Sequence, residues 1–184
     1  MAEWSGIQKV HYNEGRPDIP AAFLLSAPGS KEQLHGRPAA GTTGNNLDIV
    51  IGHLHAARPA LFPSARRYDY TITNAVDQVH FAAATGRTEA TDDEIRDPAN
   101  MARLRAELGA ARVLVCLGNK AQLAGRLLQA EGLPVQVLAE RHPGIRGLLS
   151  IRADARGAPI LKGQAGSTAL RLEVVARRIL DQLT

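Results

Sequence analysis

The chain has 184 residues, of which 45% are hydrophobic and 22% charged; this balance excludes a disordered or collagen-like polypeptide and leads us to expect one globular domain, residues 1–184, with a substantial core. Lys and Arg outnumber Asp and Glu by 22 to 18, and the net charge of +4 alone is only a slight pointer to a polyanionic partner. A lone cysteine, Cys116, rules out an internal disulfide or a thiolate cluster held within one chain, and no apolar stretch approaches membrane-span length. The N-terminal stretch MAEWSGIQKV lacks the apolar core of a secretory signal, so cytoplasmic residence is the expectation.

In chain order, the first expected strand is residues 22–26 (AFLLS), apolar at nearly every position as in strands covered on both faces. A glycine-rich loop follows. Its GRPAAGTT nearly spells a phosphate-binding P-loop, but Thr42 stands where the lysine should be, and nine residues lie between Ser26 and Gly36. Without a mobile positive charge and a strand directly before the loop, a nucleoside-triphosphate site is rejected. Helical spacing then appears after Gly44, with Leu47, Val50, Ile51 and Leu54. A second strand is expected at 70–73 (YTIT), followed by a long Ala-, Gly- and Thr-rich connection from Asp77 to Ala90, which reads as a functional loop. Thr91 and Glu94 have the spacing of a capping box, and Asp97 with Pro98 restarts a helix. The third strand, 113–117 (VLVCL), carries Cys116 as a small core residue, and a helix with Ala121, Leu123, Leu127 and Leu128 follows Gly118. A fourth strand is expected at 135–138, and a last helix from Ser167 to the C-terminus, with Leu172, Val175, Ile179 and Leu183 on one stripe.

Strands alternating with helices predict an α/β fold, a three-layer α/β/α sandwich around a short, mostly parallel central sheet. Ligands of such sheets bind beyond the carboxyl ends of the strands. Three polar or glycine-bearing stretches fall there: Ser26, Ala27, Pro28 and Gly29; Asn74 to Asp77; and Arg141, His142, Pro143 and Gly144. Around the last of them, Arg141, Arg146, Arg152, Arg156 and Lys162 are set against only Glu140 and Asp154.

Taken together, these strand ends resemble the uracil-DNA glycosylase superfamily. Ser26-Ala-Pro-Gly29, Glu32, Gly36-Arg-Pro38 and Gly41-x-x-Gly44-x-x-Leu47-Asp48 are similar to its first motif, most closely in the iron–sulfur branch. Ile72-Thr-Asn-Ala-Val76 resembles its Ile-Thr-Asn-Val-Val segment, Val115-Cys-Leu-Gly118 its third strand, and His142-Pro143-Gly144 its second catalytic motif, usually His-Pro-Ser. The resemblance implies a monomeric enzyme that takes a nucleotide out of the duplex stack and hydrolyses the bond between base and deoxyribose. It implies that the backbone around Ala27 to Gly29 lines the pocket. Asn74 would read the base edge, and its amide can tell a carbonyl from an amino group. His142 would donate to the 2-oxygen of the departing base. Arg146 or Leu148 would fill the gap in the stack, with Gly144 in the probing segment and Arg141, Arg152 and Arg156 on phosphates.

Three departures separate the chain from that pattern. One cysteine cannot hold the branch's cluster, so neither metal nor cofactor is expected. The family's Gly-x-Pro-Phe has become Gly36-Arg37-Pro38-Ala39, which removes a ring that stacks on uracil and is worth on the order of 1–3 kcal/mol. No carboxylate occupies Ser26 or Ala27 to activate water, which leaves Asp77 as the nearest acid, able to protonate a leaving base if burial raises its pKa. Three functions follow: a uracil glycosylase whose pocket another side chain closes, a glycosylase for an enlarged or modified pyrimidine such as one in phage DNA, and a catalytically inactive nucleic-acid-binding relative.

Overall fold

The computed structural model describes residues 6–183; the first five residues of the stretch read for a leader lie outside the described residues. A hairpin of β1 (Gln8–Lys9) and β2 (Tyr12–Asn13) joins the strands β3 (Ala21–Leu25), β4 (Thr71–Asn74), β5 (Val113–Leu117) and β6 (Gln136–Glu140) in one sheet of order β1-β2-β4-β3-β5-β6. The four longer strands are parallel, and β2 runs antiparallel to β4, with Tyr12 opposite Thr73 and Asn13 opposite Ile72. Each expected strand is present, shifted by no more than two residues at either end.

Because side chains alternate across a strand, β3 and β5 feed two cores. Phe23, Leu25, Val115 and Leu117 point to one face, where α2 (Thr42–Ala57) and α8 (Ser167–Leu180) pack; there Phe23 meets Tyr70 edge-on, ring centroids 5.3 Å apart at 81°. Each such buried ring contributes about 1.5–3 kcal/mol through lost water contact. Ala22, Leu24, Leu114 and Cys116 point to the other face, covered by α4 (Asp92–Arg96), α5 (Pro98–Leu108) and α6 (Asn119–Ala130). A methyl on Gly125 would sit 2.5 Å from Cys116 Sγ, so α6 can lie this close to the sheet only with glycine there. Burial pushes the Cys116 thiol up to about 12, which leaves it an inert packing group.

The caps read from the sequence set the helix starts. Thr91 Oγ1 accepts from Glu94 N at 3.2 Å while Glu94 Oε2 accepts from Thr91 N at 2.7 Å, and Asp97 Oδ1 accepts from the amides of Ala99 and Asn100. Two short helices, α1 (Ser30–His35) and α3 (Ala82–Thr85), stand in stretches expected to be loop; a third, α7 (Ile145–Leu149), forms in the expected probing segment, for which no element is read from the sequence, and α8 stops at Leu180, short of the C-terminus. Just beyond α8, the Gln182 side chain lies along β6: its Oε1 accepts from Ala139 N at 2.8 Å and its Nε2 donates to Ala139 O at 3.1 Å.

Candidate active site

A cavity of about 750 Å³ opens beyond the carboxyl ends of all four parallel strands, with Leu25, Asn74, Gly118 and Arg141 each marking where a strand gives way to loop. The strand-end loops can converge because Gly118, at φ +99°, has no side chain. A Cβ there would lie 3.1 Å from Ser26 Oγ and 3.3 Å from His142 Cβ.

The glycine-rich loop forms a rigid wall of this cavity. Glu32 ties its two ends together, Oε2 accepting from Gly29 N at 3.0 Å and Oε1 from Ala40 N at 3.1 Å. Tyr68 donates its hydroxyl to Pro38 O at 3.0 Å, and the guanidinium groups of Arg37 and Arg67 lie over its ring, 4.7 and 4.8 Å from the centroid. Arg67 is itself held by Asp48 at 2.7 Å. Gly44, in the first turn of α2, lets that helix press on the loop, since a Cβ would fall 1.7 Å from Ala39 O. The result is visible at Ala39, which is 1% exposed and takes φ +52°, a conformation L residues seldom adopt.

Asn74 is 1% exposed at the end of β4 and lines the cavity. His142 follows β6 and lines the same cavity, with its Nδ1 accepting from Gly144 N at 3.1 Å. A neutral ring whose Nδ1 accepts carries its proton on Nε2, and no described residue bonds to Nε2. Burial lowers the His142 pKa below the ordinary imidazole value, against the opposing pull of Glu89 and Glu32. The arrangement is therefore a neutral N–H donor and a buried carboxamide lining one cavity.

Of the other residues read from the sequence, Ser26, Ala27, Gly29, Ala39, Arg141, Gly144 and Arg146 line the cavity. Pro28 is buried behind it, its carbonyl accepting from His80 N at 2.9 Å. Arg152, Arg156 and Lys162 are exposed and lie off the cavity wall. Arg141 is committed to its own loop, bonded to Glu140 Oε1 at 3.1 Å and to Ser150 Oγ.

Two expectations are corrected. Asp77 is exposed and lines a separate depression of about 480 Å³ beside Asp93 and Asp97, so it lacks both the burial and the position that its proposed role required. Leu148 is 4% exposed and belongs to the core under α7, because a helical turn there points it inward rather than onto the exposed rim that a stack-filling role required. The same turn leaves Ile145 65% exposed on the cavity rim beside Arg146.

Sequence reasoning also missed Phe81, which lines the cavity from the long connection after β4. The signal was present: with three phenylalanines in the chain, one inside a small-residue loop is unusual. His80 beside it is buried, with Nδ1 3.2 Å from Thr85 Oγ1, and anchors that connection.

Among the described residues, no group of three or more His, Cys, Asp or Glu side chains could hold a metal ion, and no helix is long and apolar enough to cross a membrane. A comparison with curated proteins found no match. The family model of the uracil DNA glycosylase superfamily matches residues 12–161, a span that contains every residue lining the cavity. By that match and by its mostly parallel α/β sheet, the chain belongs to the uracil DNA glycosylase superfamily, a family of hydrolases that act on DNA.

Proposed function

We propose that this protein is a DNA glycosylase that hydrolyses the N-glycosidic bond of a pyrimidine nucleotide rotated out of the stack, and that its pocket admits a base larger than uracil, such as the 5-substituted pyrimidines of phage DNA, with or without uracil itself. The observation that carries the reading is the shared chamber of Asn74 and His142, residues 68 positions apart in sequence that meet at the strand ends. In the proposed step the bond from the sugar C1′ to the base nitrogen breaks and its electron pair goes to the base. The neutral His142 Nε2–H hydrogen-bonds the 2-oxygen where that charge gathers, while water adds to C1′ and the proton it releases passes through solvent to the departing base anion. A fixed donor in a water-poor site stabilises such a transition state without reorganising. Glu32, immobilised by two backbone amides, places negative charge in the cavity, opposite in sign to the cationic sugar.

Two features support a wide base. Ala39 brings no ring to the loop wall where the family's usual motif carries one, and Phe81 lines the cavity from a different wall as a candidate stacking partner. Such a stack is worth on the order of 1–3 kcal/mol. On the DNA side, the exposure of Ile145 on the cavity rim supports its entering the gap in the duplex, with Arg146 beside it for the phosphates.

The reading is tested by incubating the purified protein with uracil-containing DNA, and separately with DNA bearing bulky 5-substituted pyrimidines, and identifying released bases by mass spectrometry. Release of bulky bases that Ala39→Phe suppresses, with uracil spared, supports it. Release of uracil alone rejects the enlarged pocket, and no release with DNA binding intact replaces the enzyme by a catalytically silent binding relative.

A further inference from the structure

Asn74 is held from behind by a polar network built from distant parts of the chain. His11 O, at the turn of the β1–β2 hairpin, accepts from Asn74 N at 3.1 Å and from Asn74 Nδ2 at 3.3 Å. On the other side, Arg103 Nη2 donates to Asn74 O at 3.0 Å. Both partners are fixed by one carboxylate. Glu107 Oε1 accepts from His11 Nε2 at 3.0 Å, and Oε2 accepts from Arg103 Nη1 and from Thr73 Oγ1, each at 2.6 Å. Burial alone would raise the Glu107 pKa; the bonds from His11 and Thr73 and the charge of Arg103 outweigh it and hold the carboxyl below its usual range.

This closure decides which way the Asn74 amide faces. A backbone carbonyl only accepts, so the group against His11 O must be the NH₂, and turning the amide over would set oxygen against oxygen. Oδ1 is then left for the cavity. We propose that Glu107 is a positioning residue that, through His11 and Arg103, locks the Asn74 amide with Oδ1 toward the base, so that the site selects pyrimidines presenting a hydrogen-bond donor to that oxygen. Asn74 makes the contact, and Glu107 acts only through it. The selection of bases rests on the glycosylase reading above; the orientation of the amide does not.

The test uses Glu107→Gln, which keeps the size but cannot accept on both arms, with His11→Ala as a second variant should the first not fold. In the wild-type protein, the side-chain NH₂ resonances of Asn74, assigned by their loss in Asn74→Asp, should show one slowly exchanging proton bonded to His11 O. Both variants should speed its exchange about tenfold or more, and should lower the ratio of kcat/KM between the preferred base and its poorer competitor by on the order of ten- to a hundredfold. A purely structural role would lower the rates on all bases together and leave that ratio alone. Unchanged exchange overturns the lock, and an unchanged ratio overturns its part in selection. Absence of base release by the wild-type protein would instead remove the glycosylase reading, with the resonance still deciding the orientation.

Discussion

Replacing Gly147 by alanine should abolish most activity in a place where helix propensity argues for improvement. Gly147 lies inside α7, where alanine is favoured over glycine by about 0.5–1 kcal/mol. Its added Cβ, however, would stand 2.1 Å from the backbone oxygen of His142 and 3.2 Å from the carbonyl carbon. Carbon and oxygen ordinarily approach to about 3.3 Å, so the methyl is roughly 1.2 Å too close. The obstacle is main chain and cannot swing aside; either α7 lifts or the His142 backbone retreats by about an ångström. A misplacement of that size costs on the order of 100-fold in rate, or about 2.7 kcal/mol of transition-state stabilisation. Single-turnover base release at saturating enzyme reads the loss, with circular dichroism to establish folding. Gly52→Ala in α2 is the control: nothing lies within 4 Å of its added Cβ, so it should stabilise the fold by about 0.5–1 kcal/mol and leave the rate alone. A Gly147→Ala protein working within about twofold of wild type would refute the placement of α7 against His142.

Acid should silence the enzyme only below the ordinary histidine range. His142 donates as a neutral ring, and burial, partly offset by Glu89 and Glu32, lowers its pKa, so the rate should hold down to about pH 6.5 and fall as pH drops further through the depressed value. The same group makes stability fall in that window, since the unfolded chain takes up the proton first. A pH–rate profile with its acid limb at or above about 6.5 would contradict the assignment. On the DNA-facing rim, Ile145→Ala should slow release from duplex and spare single-stranded substrate, whereas Leu148→Ala should cost about 2–5 kcal/mol of stability in a denaturant titration, with no preference between the two substrates.

The sequence disclosed what local chemistry alone determines. β5 was legible because five apolar residues stand between Arg112 and Gly118, and α4 and α5 because Thr91 and Asp97 are capping residues at the right spacing. The β1–β2 hairpin was not legible: Gln8, Lys9, Tyr12 and Asn13 carry no alternating pattern, and their extended form is imposed by pairing with β4. Asn74 and His142 could be named from motifs, but His11, Arg103 and Glu107 behind Asn74 could not. Their relation arises only when α5 and the hairpin flank one strand. Leu148 was misjudged for the complementary reason. A five-residue helix interrupted by Gly147 gives too little periodicity to reveal which side faces the core.

The Gln182 carboxamide standing in for a neighbouring strand at Ala139 has a consequence for life at high concentration. An unpaired border of a sheet is a template on which another polypeptide can dock ladder-fashion, the first step toward clumping. Here one glutamine interrupts that ledge at β6, while the small hairpin shields β4 at the opposite margin. Copies crowded together thus meet a flank blunted by Gln182 on one side and only a two-residue strand, β1, on the other.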